Sequence, residues 1–430
     1  MTYFHHKRRV VLLACQGTRG DIQPFLAIAQ GLKEAGYEPV VAAADDYQSW
    51  IETGDLAYRR LGRDVKAWVL EEENARKLTL SPVSALINLG ELLERPLQDQ
   101  LEDLITASEG VDAVLFSVLS HLVCDLAEAR KLPAAALLLQ PAMPTRHFPS
   151  ALSPYQNMGP WLNRLSSEVA LRARYLSRRK ITAWRRNVLG LSPEPASWAA
   201  FTIAGRPIPR IYGFSRHVLP VPSDWSDKDH VVGYWFYDPA LCGEPDSDTA
   251  QSVSAFLASG SKPIYVGFGS MPIPNAQENL AILKHSLRRL GMRAIISRGW
   301  AGLELGPADH DQFYSLGEVP HSWIFEKVDA LLHHGGAGST ATGLRAGLPT
   351  LVCALGFDQL FWGHRIASIG AGPKPLPMRN WSPDRLEASL RALTKTERFR
   401  QTAQTIGNKL QAERGTANAV ACVRKIIGDP

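Results

Sequence analysis

The sequence predicts an α/β protein with two domains, each built on an open parallel sheet, that face each other across a cleft. A strand–helix–strand pattern begins at residue 10, a second begins at residue 264, and a segment rich in proline and aspartate separates them. The chain has 430 residues, more than one hydrophobic core normally accommodates. Open α/β sheets bind ligands at the carboxyl ends of their strands, so we expect the functional site in the cleft.

The first domain is predicted from short apolar runs that alternate with amphipathic segments. The runs lack polar alternation, as strands buried on both faces do. We predict four strands, two helices and two longer helical stretches that would contact a substrate. The strands are Val10–Cys15, Pro39–Ala44, Val111–Phe116 and Ala134–Leu139. The helices are Ile22–Ala35 and Leu122–Arg130, and the longer helical stretches are Ser84–Ala107 and Trp161–Val188.

The second domain follows a proline-rich connection. We place the boundaries at 1–220 for the first domain, 221–261 for the linker, 262–415 for the second domain, and 416–430 for a last helix that returns to the first domain. The elements predicted after the linker are strands Ile264–Gly267, Ala294–Ser297, Phe313–Leu316 and Thr350–Ala354, and helices Ala276–Leu290 and Thr416–Ile427.

A glycine-rich segment in the second domain is the most specific local pattern. A short apolar strand, Ala330–Leu332, leads to His334, three glycines and a helix start. The free N–H groups and positive dipole end of such a helix attract a phosphate group. The turn and the helix start contain Gly335, Gly336, Gly338, Ser339 and Thr340.

Composition and motifs argue against several other classes. A net charge of +5 is small for this length and does not indicate a nucleic-acid partner. The turn after the first strand contains Gly17 and Gly20 but not the dinucleotide fingerprint, and no lysine follows Gly338 as in a P-loop. These gaps argue against NAD and ATP as ligands.

The compartment is predicted from the cysteines and from the apolar runs. The five cysteines are scattered, and no pair forms a C-x-x-C motif, so we expect free thiols rather than disulfides or zinc. The run Val10–Cys15 is shorter than the roughly 7–15 apolar residues of an export signal. No stretch reaches the ~20 apolar residues of a membrane span. We therefore expect a cytoplasmic protein.

Four sequence blocks resemble the nucleotide-sugar-dependent glycosyltransferases with a GT-B fold, and among these the sterol and antibiotic glucosyltransferases. The resemblance implies an inverting reaction in which an acceptor hydroxyl displaces a nucleoside diphosphate from C1 of a hexose, with UDP-glucose as the first candidate donor. It also implies an apolar acceptor, such as a sterol, lipid or polyketide, and no cofactor. The blocks are Gly17–Pro24, Val266–Ser270, Val319–Trp323 with His333–Thr340, and Gly356–Trp362.

Such a reaction needs a base for the hydroxyl proton. Asp21 stands where related plant enzymes have a histidine, and we take it as the general base. The alternative is that Asp21 only caps the helix predicted from Ile22, and the two roles are compatible. His121, which follows the third predicted strand, is a candidate partner for this base or a structural histidine.

The resemblance also assigns donor-binding residues. The diphosphate would contact His334, Ser270 and the glycine-rich helix start, which contributes Gly336, Gly338, Ser339 and Thr340. Asp358 and Gln359 would bind sugar hydroxyls. Plant enzymes have a stacking tryptophan where Glu318 stands, so UDP and TDP both stay open; Val319 and Arg298 are the nucleobase candidates. Arg19 would face the phosphates or the acceptor, or be an ordinary surface arginine.

Three alternatives concern metal, membrane and activity. Asp-x-Asp occurs at 227–229, 246–248 and 309–311, but acidic loops give such matches by chance, and we predict no required metal.

The basic stretch Arg172–Arg186, with Ile181 and Trp184 interleaved, either contacts the inner face of an anionic membrane or is a solvated helix face. A nucleotide-sugar epimerase and a non-catalytic nucleotide-sugar-binding relative are the competing functions.

Overall fold

The computed structural model describes residues 8–71, 74, 97–172, 178–193, 201–237, 245–300, 303–306 and 309–430. Part of the predicted helical stretch Ser84–Ala107 lies outside these ranges, and residues 97–107 of it are helical. None of the described helices has the length and apolar character needed to cross a bilayer.

The first domain is built on a seven-stranded parallel sheet with strand order β3-β2-β1-β4-β5-β8-β9. Its strands are β1 Val10–Ala14, β2 Glu38–Ala43, β3 Ala57–Arg60, β4 Ala113–Phe116, β5 Ala134–Leu138, β8 Arg210–Tyr212 and β9 Asp229–Val231; β6 Thr202–Ile203 and β7 Arg206–Pro207 form a separate short hairpin. The helices described around this sheet are α1 Arg19–Glu34, α2 Gln48–Thr53, α3 Val65–Leu70, α4 Val123–Arg130, α5 Pro160–Arg172 and α6 Arg178–Asn187.

The second domain has a five-stranded parallel sheet with strand order β12-β11-β10-β13-β14. Its strands are β10 Ile264–Gly267, β11 Ala294–Ser297, β12 Phe313–Leu316, β13 Leu331–His333 and β14 Thr350–Val352. The helices are α7 Ser247–Ala258, α8 Ala276–Arg289, α9 His321–Phe325, α10 Ala337–Arg345, α11 Gln359–Ile369, α12 Pro383–Lys395, α13 Glu397–Ala412 and α14 Gly415–Ile427. The predicted α/β class with two parallel sheets is therefore confirmed.

Two predicted boundaries differ from the structure. Helix α1 begins at Arg19, three residues before the predicted Ile22, because Thr18 and Asp21 form a capping box around its first turn. The predicted linker 221–261 is too wide: β9 within it pairs with β8 of the first sheet, and α7 packs its Phe256 in the second domain.

The last helix returns to the first domain, as expected. Val423 and Ile427 of α14 are buried in the apolar layer that also contains Ile22 and Phe25 of α1. After the helix, the Tyr37 hydroxyl donates to the carbonyl of Gly428 at 2.5 Å. The chain end therefore fastens the second domain to the first.

A shared apolar cluster also joins the two domains beside the cleft. The rings of Phe214 and Trp362 lie 6.2 Å apart, and those of Phe148 and Phe361 lie 5.6 Å apart, each pair at steep angles. Arg365 of α11 donates through Nη2 to the carbonyl of Val218 at 2.7 Å. These contacts fix how the carboxyl ends of the two sheets face each other.

The basic stretch Arg172–Arg186 is not one uniform surface. Residues 173–177 lie outside the described ranges, and in α6 the side chains of Ile181 and Trp184 are buried in the core. Arg185 is 2% exposed and pairs with Asp125 and Glu128 of α4. The described apolar residues of this stretch, and one of its arginines, therefore cannot contact a membrane.

Arg185→Ala is expected to lower the free energy of unfolding by about 3–5 kcal/mol, because it leaves the buried carboxylate of Asp125 without its guanidinium partner. The neighbouring Arg186 is exposed, so Arg186→Ala should stay within about 0.5 kcal/mol of wild type. Urea denaturation of both variants measures the difference. Equal midpoints would show that the ion pair does not hold α6 against α4.

Candidate functional site

The site lies where the first turns of α1 and α10 face each other across the cleft. Gly20 of α1 and Gly338 of α10 approach so closely that a Cβ placed on Gly338 would be 3.8 Å from the Gly20 Cα atom. Both helices follow strands at the carboxyl edge of their sheet, β1 and β13. The positive ends of two helix dipoles therefore point into one space, which suits an anion.

Asp21 is held at the start of α1 by Thr18. The backbone N–H of Thr18 donates to Asp21 Oδ2 at 2.8 Å, and the Thr18 hydroxyl lies 3.2 Å from the same oxygen. The other oxygen, Oδ1, is left for a further partner. The cap interpretation of Asp21 is therefore confirmed, and the role of Asp21 as a base stays a prediction that this cap does not exclude.

The environment of Asp21 raises the pKa of its carboxyl toward neutrality. Burial raises the pKa of Asp21 to about 6, the hydrogen bonds from Thr18 oppose the rise, and the negative charge of Asp358 adds to it. Asp358 belongs to the second domain, so this contribution acts across the cleft. At pH 7 most of the Asp21 population is ionised and able to accept a proton.

A small pocket opens beside Asp21 at the carboxyl ends of β1, β4 and β5. Half of the described residues that line it are apolar, and the others provide two amides, a hydroxyl and the Asp21 carboxylate: Gln16, Asp21, Ser117, Val118, Leu119, Leu137, Leu139 and Gln140. His121 follows the short turn Val118–Ser120, and it is not among these lining residues. The role of His121 as a partner of Asp21 stays a prediction.

The glycine-rich turn after β13 has the predicted form, but the helix after it begins earlier than the predicted start at Ser339 and Thr340. The N–H of Gly335 donates to His333 Nδ1 at 2.9 Å, which folds the turn back on the strand end. Helix α10 starts at Ala337 with Gly336 as its N-cap, so Ser339 and Thr340 lie inside the first turn. Because the Thr340 N–H already donates to the Gly336 carbonyl at 3.0 Å, the N–H groups before it are the ones that face the cleft.

Three polar atoms of this turn are buried without a hydrogen-bond partner: His333 Nε2, His334 Nδ1 and Thr340 Oγ1. His333 and Thr340 are each 1% exposed. An unsatisfied buried polar atom costs about 1–3 kcal/mol, and native structures contain few. These three atoms lie together at one helix start, where a polar ligand could bind them.

Burial also keeps the histidines of the cleft neutral. It lowers the pKa of His334 to about 4 and of His321 to about 4, and the charge of Arg19 contributes to the shift of His321. A neutral imidazole can donate one hydrogen bond but brings no charge. An anion bound at the helix start would raise both pKa values.

The remaining donor candidates follow neighbouring strands of the second sheet. Ser270 follows β10 in a turn whose Gly269 carbonyl accepts the N–H of Trp300 at 3.1 Å. Arg298 follows β11, with its guanidinium 2.9 Å from where a Cβ of Gly317 would lie. Val319, after β12, is partly buried against the apolar layer of α9. All three therefore lie at the carboxyl edge that also carries the glycine-rich turn.

Asp358 and Gln359 lie together at the start of α11 but differ in availability. Asp358 Oδ2 accepts from Trp362 Nε1 at 2.9 Å, and burial raises the pKa of this carboxyl. The amide oxygen of Gln359 accepts the N–H groups of Leu355 and Gly356 at 2.7 and 3.1 Å, and Gln359 is 3% exposed. Gln359 thus shapes the loop, and only its amide nitrogen is left to contact a ligand.

Arg19 is the cation at the mouth of the cleft. Its guanidinium carbon lies 5.0 Å from the ring centroid of Trp50, and Nη1 lies 3.8 Å from Glu318 Oε2 of the second domain. Sequence reasoning missed Trp50 and the pairing with Glu318. It also missed His321, whose Nε2 lies 3.3 Å from the Tyr265 hydroxyl; its position directly after Pro320 was the available signal.

One aspartate of each Asp-x-Asp match has a structural partner. Asp229 pairs with Arg210, Asp246 caps α7 through the Thr249 N–H at 2.8 Å, and Asp309 pairs with Lys284. Among the described residues, no group of three or more His, Cys, Asp or Glu side chains is placed to hold a metal ion.

Gly17→Ala is expected to lower the free energy of unfolding by about 1–3 kcal/mol, because Gly17 has a φ of +124° and a Cβ there would lie 2.3 Å from Asp21 Oδ2. The matched control is Gly20→Ala, whose Cβ would meet only the Thr18 hydroxyl at 4.0 Å. It should change stability by less than about 1 kcal/mol. Chemical denaturation compares them, and equal values would contradict this contact.

Two family models match the chain. The N-terminal domain of glycosyltransferase family 28 matches residues 10–145, and the C-terminal domain of erythromycin biosynthesis protein CIII-like proteins matches residues 311–425. The first match covers Asp21 and the adjacent pocket. The second covers the glycine-rich turn and Asp358.

Curated relatives are sterol glucosyltransferases. The chain is 32% identical to sterol 3-beta-glucosyltransferase UGT80A2 of Arabidopsis thaliana, covering 95% of this chain and 64% of that protein. It is 31% identical to sterol 3-beta-glucosyltransferase UGT80B1 of the same plant, covering 96% of this chain and 67% of that protein. The enzyme of Cryptococcus neoformans is 28% identical, and the chain spans 26% of its length.

Solved structures share the fold over nearly the whole chain. The kitacinnamycin glycosyltransferase matches with a TM-score of 0.71 at 17% identity, covering 97% of this chain and 99% of that one. The glycosyltransferase VinC in complex with dTDP matches with a TM-score of 0.65 at 18% identity, with the same coverage. The chain has the GT-B fold and belongs to the glycosyltransferase family that contains the sterol 3-beta-glucosyltransferases.

Proposed function

We propose that the protein is an inverting glycosyltransferase that moves a hexose from a UDP-sugar to a hydroxyl of an apolar acceptor. The observation that carries the proposal is the face-to-face arrangement of α1 and α10. It sets a carboxylate with a pKa of about 6 opposite a helix start whose buried polar atoms lack partners. A base and an anion site on two sides of one cleft are what displacement at a sugar carbon requires.

In the proposed reaction, Asp21 Oδ1 takes the proton of the acceptor hydroxyl as its oxygen bonds to C1 of the sugar. The bond between C1 and the diphosphate oxygen breaks on the opposite side, and the electron pair leaves with the nucleoside diphosphate. Thr18 holds Oδ2 and so fixes the orientation of the carboxylate. Attack and departure on opposite sides invert the configuration at C1.

The leaving group is held by the second domain. The N–H groups of Ala337, Gly338 and Ser339 and the hydroxyls of Thr340 and Ser270 would bind phosphate oxygens. His334 would add one hydrogen bond and, with its pKa raised by the diphosphate, a share of positive charge. Asp358, through its free Oδ1, and the amide nitrogen of Gln359 would bind sugar hydroxyls.

The nucleotide and the acceptor are proposed from the relatives. The sterol 3-beta-glucosyltransferases support glucose and a sterol-like alcohol, and four apolar side chains line the small pocket beside Asp21. VinC was solved with dTDP, so a TDP-sugar-dependent reaction on a natural product is the second candidate. Arg298 and Val319 lie where either nucleobase would reach the second sheet.

We also propose that the reaction needs no metal and takes place in the cytoplasm at the inner face of a membrane. The dipole end of α10 and its N–H groups provide the positive potential that a cation would otherwise supply. The four cysteines described are free thiols, which suits a reducing compartment. A membrane surface would bring an apolar acceptor within reach of the cleft.

Incubating the purified protein with UDP- and TDP-sugars and a mixture of sterols and other apolar alcohols, in EDTA, is expected to add one hexose to a sterol-like alcohol, as read by mass spectrometry. UDP-glucose should be the best donor. An epimerised donor would support an epimerase, and no donor consumption a non-catalytic relative. Activity lost in EDTA and restored by Mg²⁺ would overturn metal independence.

Asp21→Asn is expected to keep donor binding and to lower kcat by about 10²–10⁴. In the wild type, kcat/KM should fall about tenfold per pH unit below about pH 6, because the protonated carboxyl cannot accept the acceptor proton. Asp55→Asn is the control: Asp55 is exposed, and its φ of 54° suits asparagine. Wild-type turnover in Asp21→Asn would remove Asp21 from the mechanism.

A further inference from the structure

Two buried glutamines form a chain of hydrogen bonds at the carboxyl edge of the first sheet. Gln16 follows β1 and is 8% exposed, and Gln100 lies in the helical residues 97–107 and is 5% exposed. Gln100 Nε2 donates to Gln16 Oε1 at 2.6 Å and to the carbonyl of Leu119 at 3.1 Å. Gln16 Nε2 in turn donates to the carbonyl of Leu61 at 3.3 Å. The chain therefore joins the ends of β1 and β3 to the turn after β4.

The two backbone carbonyls at its ends fix which way each side-chain amide faces. A carbonyl oxygen can only accept a hydrogen bond, so the Gln100 atom facing Leu119 and the Gln16 atom facing Leu61 must both be nitrogen. The reverse orientation of either amide would place two oxygens against each other in a buried site and leave hydrogen bonds unmade. The Gln16 amide therefore has one orientation, with Oε1 toward Gln100 and Nε2 toward Leu61.

One N–H bond of the Gln16 amide is left for a ligand. Its Nε2 atom carries two hydrogens, and within the described ranges it donates only to Leu61. Gln16 lines the same pocket as Asp21, whose Oδ1 is left for a partner because Thr18 holds Oδ2. Gln16 and Asp21 thus supply this pocket with one N–H donor and one carboxylate acceptor.

The pocket has room for little more than the reacting group of an acceptor. Its volume is about 10 Å³, close to the minimum that holds one water molecule. Leu119 lines it and is 39% exposed, so an apolar side chain lies between the pocket and solvent. A hydroxyl group can make both bonds here, because its oxygen accepts from Gln16 while its proton goes to Asp21.

We infer that Gln16 binds the oxygen of the acceptor hydroxyl while Asp21 accepts its proton, and that Gln100 is the positioning residue that holds the Gln16 amide for this contact. The role of this contact in catalysis rests on the proposed transfer to an alcohol. With both bonds made, the hydroxyl oxygen is fixed beside the base and keeps one lone pair for C1 of the sugar. The pocket then selects for a hydroxyl, since a group that cannot make both bonds leaves a buried polar atom unpaired.

Binding of three matched steroids tests the inference on the full chain without a transfer step. Androstanol has the hydroxyl, androstanone has a carbonyl that can only accept, and androstane lacks the oxygen. Wild-type protein should bind androstanone about three- to tenfold more weakly than androstanol, and androstane more weakly again by a similar factor, because each step removes one hydrogen bond. In Gln16→Met, androstanone should lose its advantage over androstane.

Gln100→Met acts through Gln16, so it should remove most of the same advantage. Adding Gln100→Met to Gln16→Met should change binding little further, as expected for residues that act in one chain. Gln312→Met is the matched control, because Gln312 Nε2 also joins two backbone carbonyls, at 2.7 and 3.3 Å, but in the second domain. This control should bind the three steroids as wild type does.

A transfer assay adds a second readout. Gln16→Met should raise the KM for the alcohol by about three- to tenfold and leave the KM for the sugar donor unchanged. Equal or absent binding of androstanone and androstane in the wild type, or the same advantage of androstanone in Gln16→Met, would overturn the inference. An equal loss of all three steroids in Gln16→Met would also overturn it, because Gln16 would then only maintain the pocket. Binding as expected with no sugar transferred would contradict the proposed function and leave the hydroxyl contact standing.

Discussion

The close approach of two helix starts is the constraint on which the rest of the site depends. Two positive dipole ends repel each other unless negative charge lies between them. The backbones of Gly20 and Gly338 face each other here, and a Cβ on Gly338 would be 3.8 Å from the Gly20 Cα atom, an ordinary contact distance. Asp21 supplies one negative charge, and a diphosphate would supply the rest. The shared apolar cluster around Trp362 and the returning helix α14 hold the domains in this position against that repulsion.

The electrostatics of the cleft are arranged around a ligand that carries charge. Without such a ligand, burial keeps His321 and His334 neutral by lowering their pKa values. Burial also raises the pKa values of Asp21 and Asp358. Arg19 is the cation that the first domain places at the cleft, where it lies over the ring of Trp50 and pairs with Glu318. A cation held only by an exposed pair and a ring face is weakly bound, so it can turn toward a phosphate at little cost.

Much of this arrangement could be predicted from the sequence because strand ends are marked by pattern. The apolar runs of β1, β10 and β13 indicated the carboxyl edges, and the resemblance to the GT-B glycosyltransferases singled out Asp21, Ser270 and His334 in the segments that follow them. Other features carried no such mark. Strands β8 and β9 have three residues each and lie in or beside the proline-rich segment, so their pairing depends on long-range contacts. A run of arginines does not show that Arg185 faces the core. Helix α5 lies in a predicted helical stretch, but Trp161, Leu162 and Val169 are exposed, contrary to the rule that apolar residues of a surface helix point inward.

The pKa of Asp21 is expected to rise further as each of the two substrates binds. A helix start lowers the pKa of a carboxylate in its first turn, whereas burial raises it, and the value of about 6 shows that burial dominates. An apolar acceptor would displace more water from the pocket beside Asp21 and strengthen that effect. The diphosphate would add negative charge across the cleft and act in the same direction. The base would therefore be weak in the empty enzyme and become stronger as the cleft fills, when a hydroxyl lies beside it to give up a proton.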